Sequence, residues 1–323
     1  MSASPSNKQE LRMTKIRRYT AWVLAVLLGT AITSCNSNDD AGVAEIEIPG
    51  VTIDGDTDCC SAEEALQVYR FLQTVRIVPE LSTTVGDKYN IFAYSRTGTF
   101  HTGYNEVFFV ATKKQSGNYV KQFDITNLTP LMTMEAMNMK HSAPVSAGIE
   151  SFNSAYLAVK RGWVAFLMAG QWTLSYDVSL LGVSGGVSQQ AVDVSALGDG
   201  QRWLQSFRGH EGATYYLSLV TPTDWQTGTN TMTAYVSQKA AEATTAYPLA
   251  SEQFTIDIDP RMPDMGGHTS PGNTPLTLQR DGSYQGTINL TMTGLWRIFL
   301  TVRDAKGDVV AGGDETLYWD VTI

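Results

Sequence analysis

Thr291-Met-Thr-Gly-Leu-Trp-Arg-Ile-Phe-Leu-Thr-Val302 places Met292, Gly294, Trp296, Ile298, Leu300 and Val302 on every second position. A period of two belongs to a β-strand with one buried face, because successive side chains point to opposite sides. On that face Trp296 predicts the centre of a core, with Gly294 leaving room beside it. The head of the pattern occurs once more upstream, as Leu167-Met-Ala-Gly-Gln-Trp172.

Three further pairs follow in the same order. Arg70-Phe-Leu-Gln-Thr-Val-Arg76 matches Arg202-Trp-Leu-Gln-Ser-Phe-Arg208. Phe100-His-Thr-Gly-Tyr-Asn105 matches Trp225-Gln-Thr-Gly-Thr-Asn230, and His141-Ser-Ala-Pro144 matches His268-Thr-Ser-Pro271. Collinear matches at a nearly constant offset are the signature of an internal duplication. The closing segments Ala191-Val-Asp-Val194 and Tyr318-Trp-Asp-Val321 agree as well.

Inside each copy the apolar residues keep period two, as in Tyr89-Asn-Ile-Phe-Ala-Tyr94 and Phe254-Thr-Ile-Asp-Ile258, and Gly, Asn, Asp and Pro separate the runs. Short alternating runs between turn residues predict an all-β fold, two tandem immunoglobulin-like β-sandwiches. The expected division is a leader over 1–34, an acidic flexible tether over 35–60, a first sandwich over 61–196 and a second over 197–323. One helix candidate, Ser61 to Gln73, overlaps the strand expected at Arg70–Arg76.

The leader has basic residues (Lys15, Arg17, Arg18), then the apolar run Ala21 to Ile32, then Ile32-Thr-Ser-Cys35. These are the parts of a signal peptide, too short to span a bilayer with margin. The last four residues resemble a bacterial lipobox, which implies a lipid on Cys35 and removal of residues 1–34. Asn36-Ser-Asn-Asp-Asp40 resembles the surface-export tag of Bacteroidetes lipoproteins. Of 23 Lys/Arg and 32 Asp/Glu, cleavage removes five and one, leaving 18 against 31. A chain this acidic, without a basic tract, excludes a phosphate-backbone partner, so no nucleic acid is expected. Membrane contact is expected through the lipid on Cys35, on an outer-membrane lipoprotein facing the periplasm or the cell surface.

The second copy carries Gly228-x-Asn230, Asp259-Pro-Arg-Met-Pro-Asp-Met-Gly-Gly-His268, Gly282-Ser-Tyr-Gln-Gly286 and Met292-Thr-Gly-Leu-Trp-Arg-Ile298. In that order they resemble the YtkA-like/FixH-like domain, a small Ig-like module of secreted and membrane-anchored bacterial proteins. The first copy keeps Thr102-Gly-Tyr-Asn105, His141 and Met168-Ala-Gly-Gln-Trp172. It replaces the Met-Pro-Asp-Met-Gly-Gly core with Pro130-Leu-Met-Thr-Met-Glu-Ala-Met-Asn-Met-Lys-His141. The resemblance implies the fold; some members sit near copper or heavy-metal handling.

The residues themselves point the same way. Thioether sulfur is a soft ligand that favours Cu(I), and imidazole accepts either copper ion. Met132, Met134, Met137, Met139 and His141 form one candidate set, and Met262, Met265 and His268 the other. An extended first segment would put Met132 and Met134 on one face and Met137, Met139 and His141 on another. With no Cys in either copy save the linker pair Cys59–Cys60, a blue-copper site is excluded. The competing reading makes the methionines adaptable core filler.

Other motifs are weaker. Thr-Gly-x-Asn reads as a tight turn, Gly182-Val-Ser-Gly-Gly186 as a flexible hairpin loop rather than a nucleophile elbow, and Asp54-Gly-Asp-Thr-Asp58 as a partial calcium loop lacking its closing Glu. His101 has Gln226 as its counterpart in the second copy, and His210 has no counterpart in the first. The expectation is a non-catalytic envelope protein, with copper as its only cofactor, storing, delivering or taking up the metal. The alternative is an interaction module, an accessory subunit docking an outer-membrane protein without metal.

Overall fold

The structure, a computed structural model, describes residues 62–153, 158–198 and 201–323. The leader, Cys35, the tether, Asp54–Asp58 and the Cys59–Cys60 pair lie outside the described residues. The first half opens with helix α1 (Ala62–Leu72). Strands β1 (Arg76–Ile77), β2 (Thr83–Val85), β3 (Tyr89–Ser95), β4 (Phe100–His101), β5 (Gly103–Lys113) and β6 (Tyr119–Val120) follow. Then come β7 (Phe123–Met134), β8 (Met139–His141), β9 (Glu150–Ser151), β10 (Val159–Phe166), β11 (Gly170–Leu180) and β12 (Val183–Ser195). The second half holds β13 (Leu204–Arg208), β14 (Thr214–Thr221), β15 (Gly228–Gln238), β16 (Thr255–Met262) and β17 (His268–Thr269). It closes with β18 (Thr274–Leu278), β19 (Tyr284–Leu290), β20 (Leu295–Arg303), β21 (Val309–Gly312) and β22 (Tyr318–Thr322). The expected all-β architecture is the observed one.

In the first half a sheet ordered β1-β3-β5-β10-β9 packs on a second ordered β4-β12-β11-β7-β8. Alternation decides which side chains meet: Ile91, Ala93, Val107 and Phe109 from one sheet join Trp172, Leu174, Tyr176 and Val178 from the other in a single core. Strand β5 is buried on both faces, since Phe108 and Val110 pack outward against Ala65, Val68 and Phe71 of α1. That is why its sequence, Val107-Phe-Phe-Val-Ala111, does not alternate. The second half repeats the plan, except that β18 pairs with both β19 and β16 and joins its two sheets into one wrapped surface. Its core gathers Leu217, Met232, Val236, Ile288, Trp296, Ile298 and Trp319.

The two halves belong to one compact unit. Tyr247 carries the join: its N–H donates to Ala143 O at 3.0 Å and its carbonyl accepts from Val145 N at 3.1 Å. Val145 in turn bridges Val164 of β10, and Leu249 bridges Ser237 of β15, so backbone pairing runs from one half into the other. Tyr235 stacks on Trp163 at 4.7 Å beside it.

Several local expectations change. Arg70–Leu72 finish α1, whereas Leu204–Arg208 are strand β13, so the matched segments adopt different structures. The helix wins in the first half because Ala65, Val68 and Phe71 recur at helical spacing and bury one face on β5. Gly182-Val-Ser-Gly-Gly186 is not a flexible loop: Leu181 and Gly182, both at positive φ, turn the chain, and residues 183–186 are already paired in β12.

In Thr-Gly-x-Asn only the glycine takes positive φ, +85° at Gly103 and +95° at Gly228. The asparagines work through their side chains. Asn230 Nδ2 donates to the carbonyls of Gln226 and Gly228 at 2.7 and 3.1 Å, and its Oδ1 accepts from Gln226 N. Asn105 makes the same three bonds to His101 and Gly103. Replacing Asn230 with alanine strands a buried turn, and unsatisfied buried groups cost about 1–3 kcal/mol each. The expected loss is about 2 kcal/mol by urea unfolding; a change within experimental error refutes the side chain's role.

Candidate functional site

The candidate residues sit on the hairpins β7–β8 and β16–β17. Met132 pairs with His141 and Met262 pairs with His268. Directly opposite residues of an antiparallel pair share a face, with Cβ atoms about 4.5–5.5 Å apart. On the other side Thr173 pairs with Leu131 and Arg297 with Arg261, which brings Trp172 beside Met132 and Trp296 beside Met262. Each half thus carries a row of His, Met and Trp across three strands. Both tryptophans are fully buried, and their Nε1 atoms donate to the carbonyls of Met168 and Met292 at 3.0 and 2.9 Å.

The glycine of Met-x-Gly-x-Trp serves this row. A Cβ on Gly170 would lie 3.0 Å from Met132 Cε, and one on Gly294 2.9 Å from Met262 Cε. The space is therefore kept for the methionine of the neighbouring strand, not for the tryptophan. Met168 and Met292 precede their strands and are exposed, so the expectation that Met, Gly and Trp share a buried face holds only for the tryptophan.

The expected faces also change. The first segment folds back on itself through a 3-10 turn, Glu135–Met137, ended by Asn138 in the left-handed region. Met134 then pairs with Met139, so Met132, Met134, Met139 and His141 share one side of the hairpin. Met137 stands on the turn, 60% exposed. In the second half the turn is Pro263–Met265, ended by Gly266 in the same conformation. Met265 is 50% exposed there, while Met262 is buried with the core. His141 follows Met132 by nine positions and His268 follows Met262 by six. The longer first hairpin accommodates the added Met134–Met139 pair.

The two imidazoles differ. His141 is half-buried, its ring edge-on to Trp172 at 5.0 Å and 84°. Its Nδ1 lies 3.1 Å from Ser142 O. A carbonyl only accepts, so the contact assigns the proton to Nδ1, and in that tautomer Nε2 holds a bare lone pair. That Nε2 is shielded from solvent and has no hydrogen-bond partner among the described residues. His268 is exposed, 6.1 Å from Trp296, with Nε2 3.4 Å from Thr291 Oγ1.

No family model matches the chain, and no curated protein matches it. Among solved structures it is similar to a conserved domain protein from Bacillus anthracis at 9% identity, covering 84% of this chain and 95% of that one, with a TM-score of 0.28. It is similar to the Yersinia pseudotuberculosis adhesin InvE at 10% identity, covering 70% and 55%, with a TM-score of 0.22. Domains 5-6 of the S-layer protein SbsC give 10% identity, 69% and 92% coverage and a TM-score of 0.21.

Among the described residues no three His, Cys, Asp or Glu side chains come together to hold a metal. The two rows supply a different donor set, methionine sulfur with imidazole. The orphaned Nε2 of His141, on a residue paired with Met132, fits a soft ion with low coordination number. His210 lies 3.6 Å from Asp304 on the surface, away from both rows. His101 lines a cleft of about 720 Å³ between the halves with Arg96, Glu106, Gln201 and Trp203, a feature no motif announced. Ser184 is paired with Ser179 inside a β-hairpin, so the strand-to-helix turn a nucleophile elbow needs is absent there.

Proposed function

We propose that this chain is a non-catalytic protein of the bacterial envelope, anchored through a lipid on Cys35, that binds a soft metal ion, copper, at the His-Met-Trp rows. The observation that carries the reading is His141 Nε2, a buried nitrogen without a hydrogen-bond partner among the described residues, on a residue paired across the hairpin with Met132. Leaving such an atom unpaired costs about 1–3 kcal/mol, and a ligand removes that cost. Met132 with His141, and Met262 with His268, would hold the ion. Copper(I) supplies affinity for thioether and imidazole together, and thioethers need no deprotonation, so the site suits an oxidising exterior. The YtkA-like resemblance and the acidic, lipobox-bearing sequence fit the same assignment.

The interaction-module reading draws on one observation, that Met132 and Met262 are counted in the two cores. Titration of the soluble 36–323 chain with Cu(I) under reducing and Cu(II) under oxidising conditions separates the two. The expected result is one Cu(I) per half, lost in His141→Ala plus His268→Ala. Unchanged binding in that double variant, or no binding by the parent chain, sinks the metal assignment and leaves the module.

A further inference from the structure

Resting on that assignment, we propose that the two rows are unequal stations for a soft monovalent ion. The first retains it and is reached through an outer thioether pair, Met134 and Met139. The second exchanges it directly with solvent or with a partner that carries it.

The first hairpin is graded from tip to core. Met137 is 60% and Met139 52% exposed; Met134, opposite Met139, is half-buried against the core; Met132 is 6% exposed and His141 Nε2 is sealed. Cross-strand pairing puts the last four of these residues on one side of the hairpin. An ion taken up at Met139 and Met134 therefore meets a third thioether and an imidazole at the next pair on that side of the hairpin. Each move exchanges one neutral ligand for another. In the tautomer with the proton on Nδ1, Nε2 takes the ion without releasing a proton, and the oxidation state does not change.

The second hairpin lacks this gradation. Its Met–His pair comes directly before the five-residue turn, and His268 is exposed. A Cβ added at Gly266 or Gly267 would meet nothing within 4 Å, so no side chain roofs the turn. The 3.4 Å contact from His268 Nε2 to Thr291 is at the long limit for a hydrogen bond and competes weakly with an incoming ion. Release from the first station retraces the Met134–Met139 path, whereas at the second the exposed His268 can rotate away and leave the ion on the buried Met262 alone.

The difference is not explained by the shared fold. Both halves keep the Trp, the Gly, the Met and the His in the same places, and the left-handed residue after the 3-10 turn is Asn138 in one and Gly266 in the other. Only the first half inserts the rung that carries two more methionines.

Silver(I), a redox-inert soft ion, tests this on the full chain in detergent, labelled with carbon-13 at the methionine methyls. Substoichiometric Ag(I) is expected to shift the Met262 methyl in fast exchange and to split the Met132 methyl into slowly exchanging free and bound signals. In Met134→Leu plus Met139→Leu, loading of the Met132 station is expected to slow about tenfold, equivalent to about 1.4 kcal/mol of barrier. Leucine is close to methionine in volume, so packing at the half-buried site is retained. In His268→Ala the fast-exchanging set alone is expected to disappear. Equal exchange at the two stations, or unaltered loading in the double leucine variant, overturns this inference while leaving metal binding intact. Absence of any methyl shift overturns the metal assignment itself.

Discussion

Trp296→Ala is expected to lower stability by about 4 kcal/mol, within the range for removing a large aromatic from a packed core. The ring has no exposed surface and lies in the second core with Met262, Ile298, Trp319 and Val321. Its loss leaves a cavity framed by paired strands on both sides, because β20 is held by β16 and by β22. The backbone there cannot collapse to fill the space. The Met292 carbonyl also loses its indole donor. At about 2–4 °C per kcal/mol for a domain of 150–250 residues, the melting temperature should fall by about 10 °C. Trp172→Ala in the first half should cost a similar amount, since Trp172 has the same burial and the same bond to Met168. Calorimetry on both variants checks this. A loss below about 1 kcal/mol, the level of a surface change, would show that the tryptophan does not fill the core.

The period-two pattern made the strands legible, because one buried face is recorded directly in alternating residues. Trp296, Ile298, Leu300 and Val302 are all buried, as their spacing requires. Strand β5 is a strand as expected although it is covered on both faces, whereas Arg70–Leu72 belong to a helix although they match a strand of the other half. In that case similarity at Arg70–Arg76 recorded common letters, while the apolar spacing just before it recorded the structure.

The candidate site was legible as a list of residue types but not as an arrangement. Spacing along an extended segment set His141 apart from Met132. The 3-10 turn reverses the chain and puts them opposite one another. Asn138 in the left-handed region was the available signal, since asparagine tolerates that conformation where most residues do not. The role of Gly170 and Gly294 was out of reach, because the methyl group they admit comes from another strand. The inequality of His141 and His268 likewise depends on burial, and the sequence gives both the same neighbours, a small hydroxyl residue and then a Pro two positions on.

Gly312→Ala is expected to be the most damaging of the single-atom changes. An added Cβ would lie 1.9 Å from the carbonyl oxygen of Leu300 and 2.9 Å from its carbon. Gly312 has a φ of +73° and pairs with Thr301 at the end of β21, beyond an irregularity between Val302 and Arg303. Nothing flexible can move aside, because the obstructing atoms are backbone of β20, a strand paired on both sides. Either β21 detaches or β20 bends. Gly307 provides the control: it has a φ of +90° in the turn before β21, but a Cβ there meets nothing within 4 Å. Gly307→Ala should therefore cost only the conformational term, about 1–2 kcal/mol. Gly312→Ala adds a steric term of about 1–3 kcal/mol, for a total of about 2–5 kcal/mol. Urea midpoints give the difference, and hydrogen exchange at the Thr301 and Val302 amides reports whether β21 has let go. Equal losses in the two variants would mean that the edge strand yields freely, and the close approach of Gly312 to Leu300 would then have no energetic consequence.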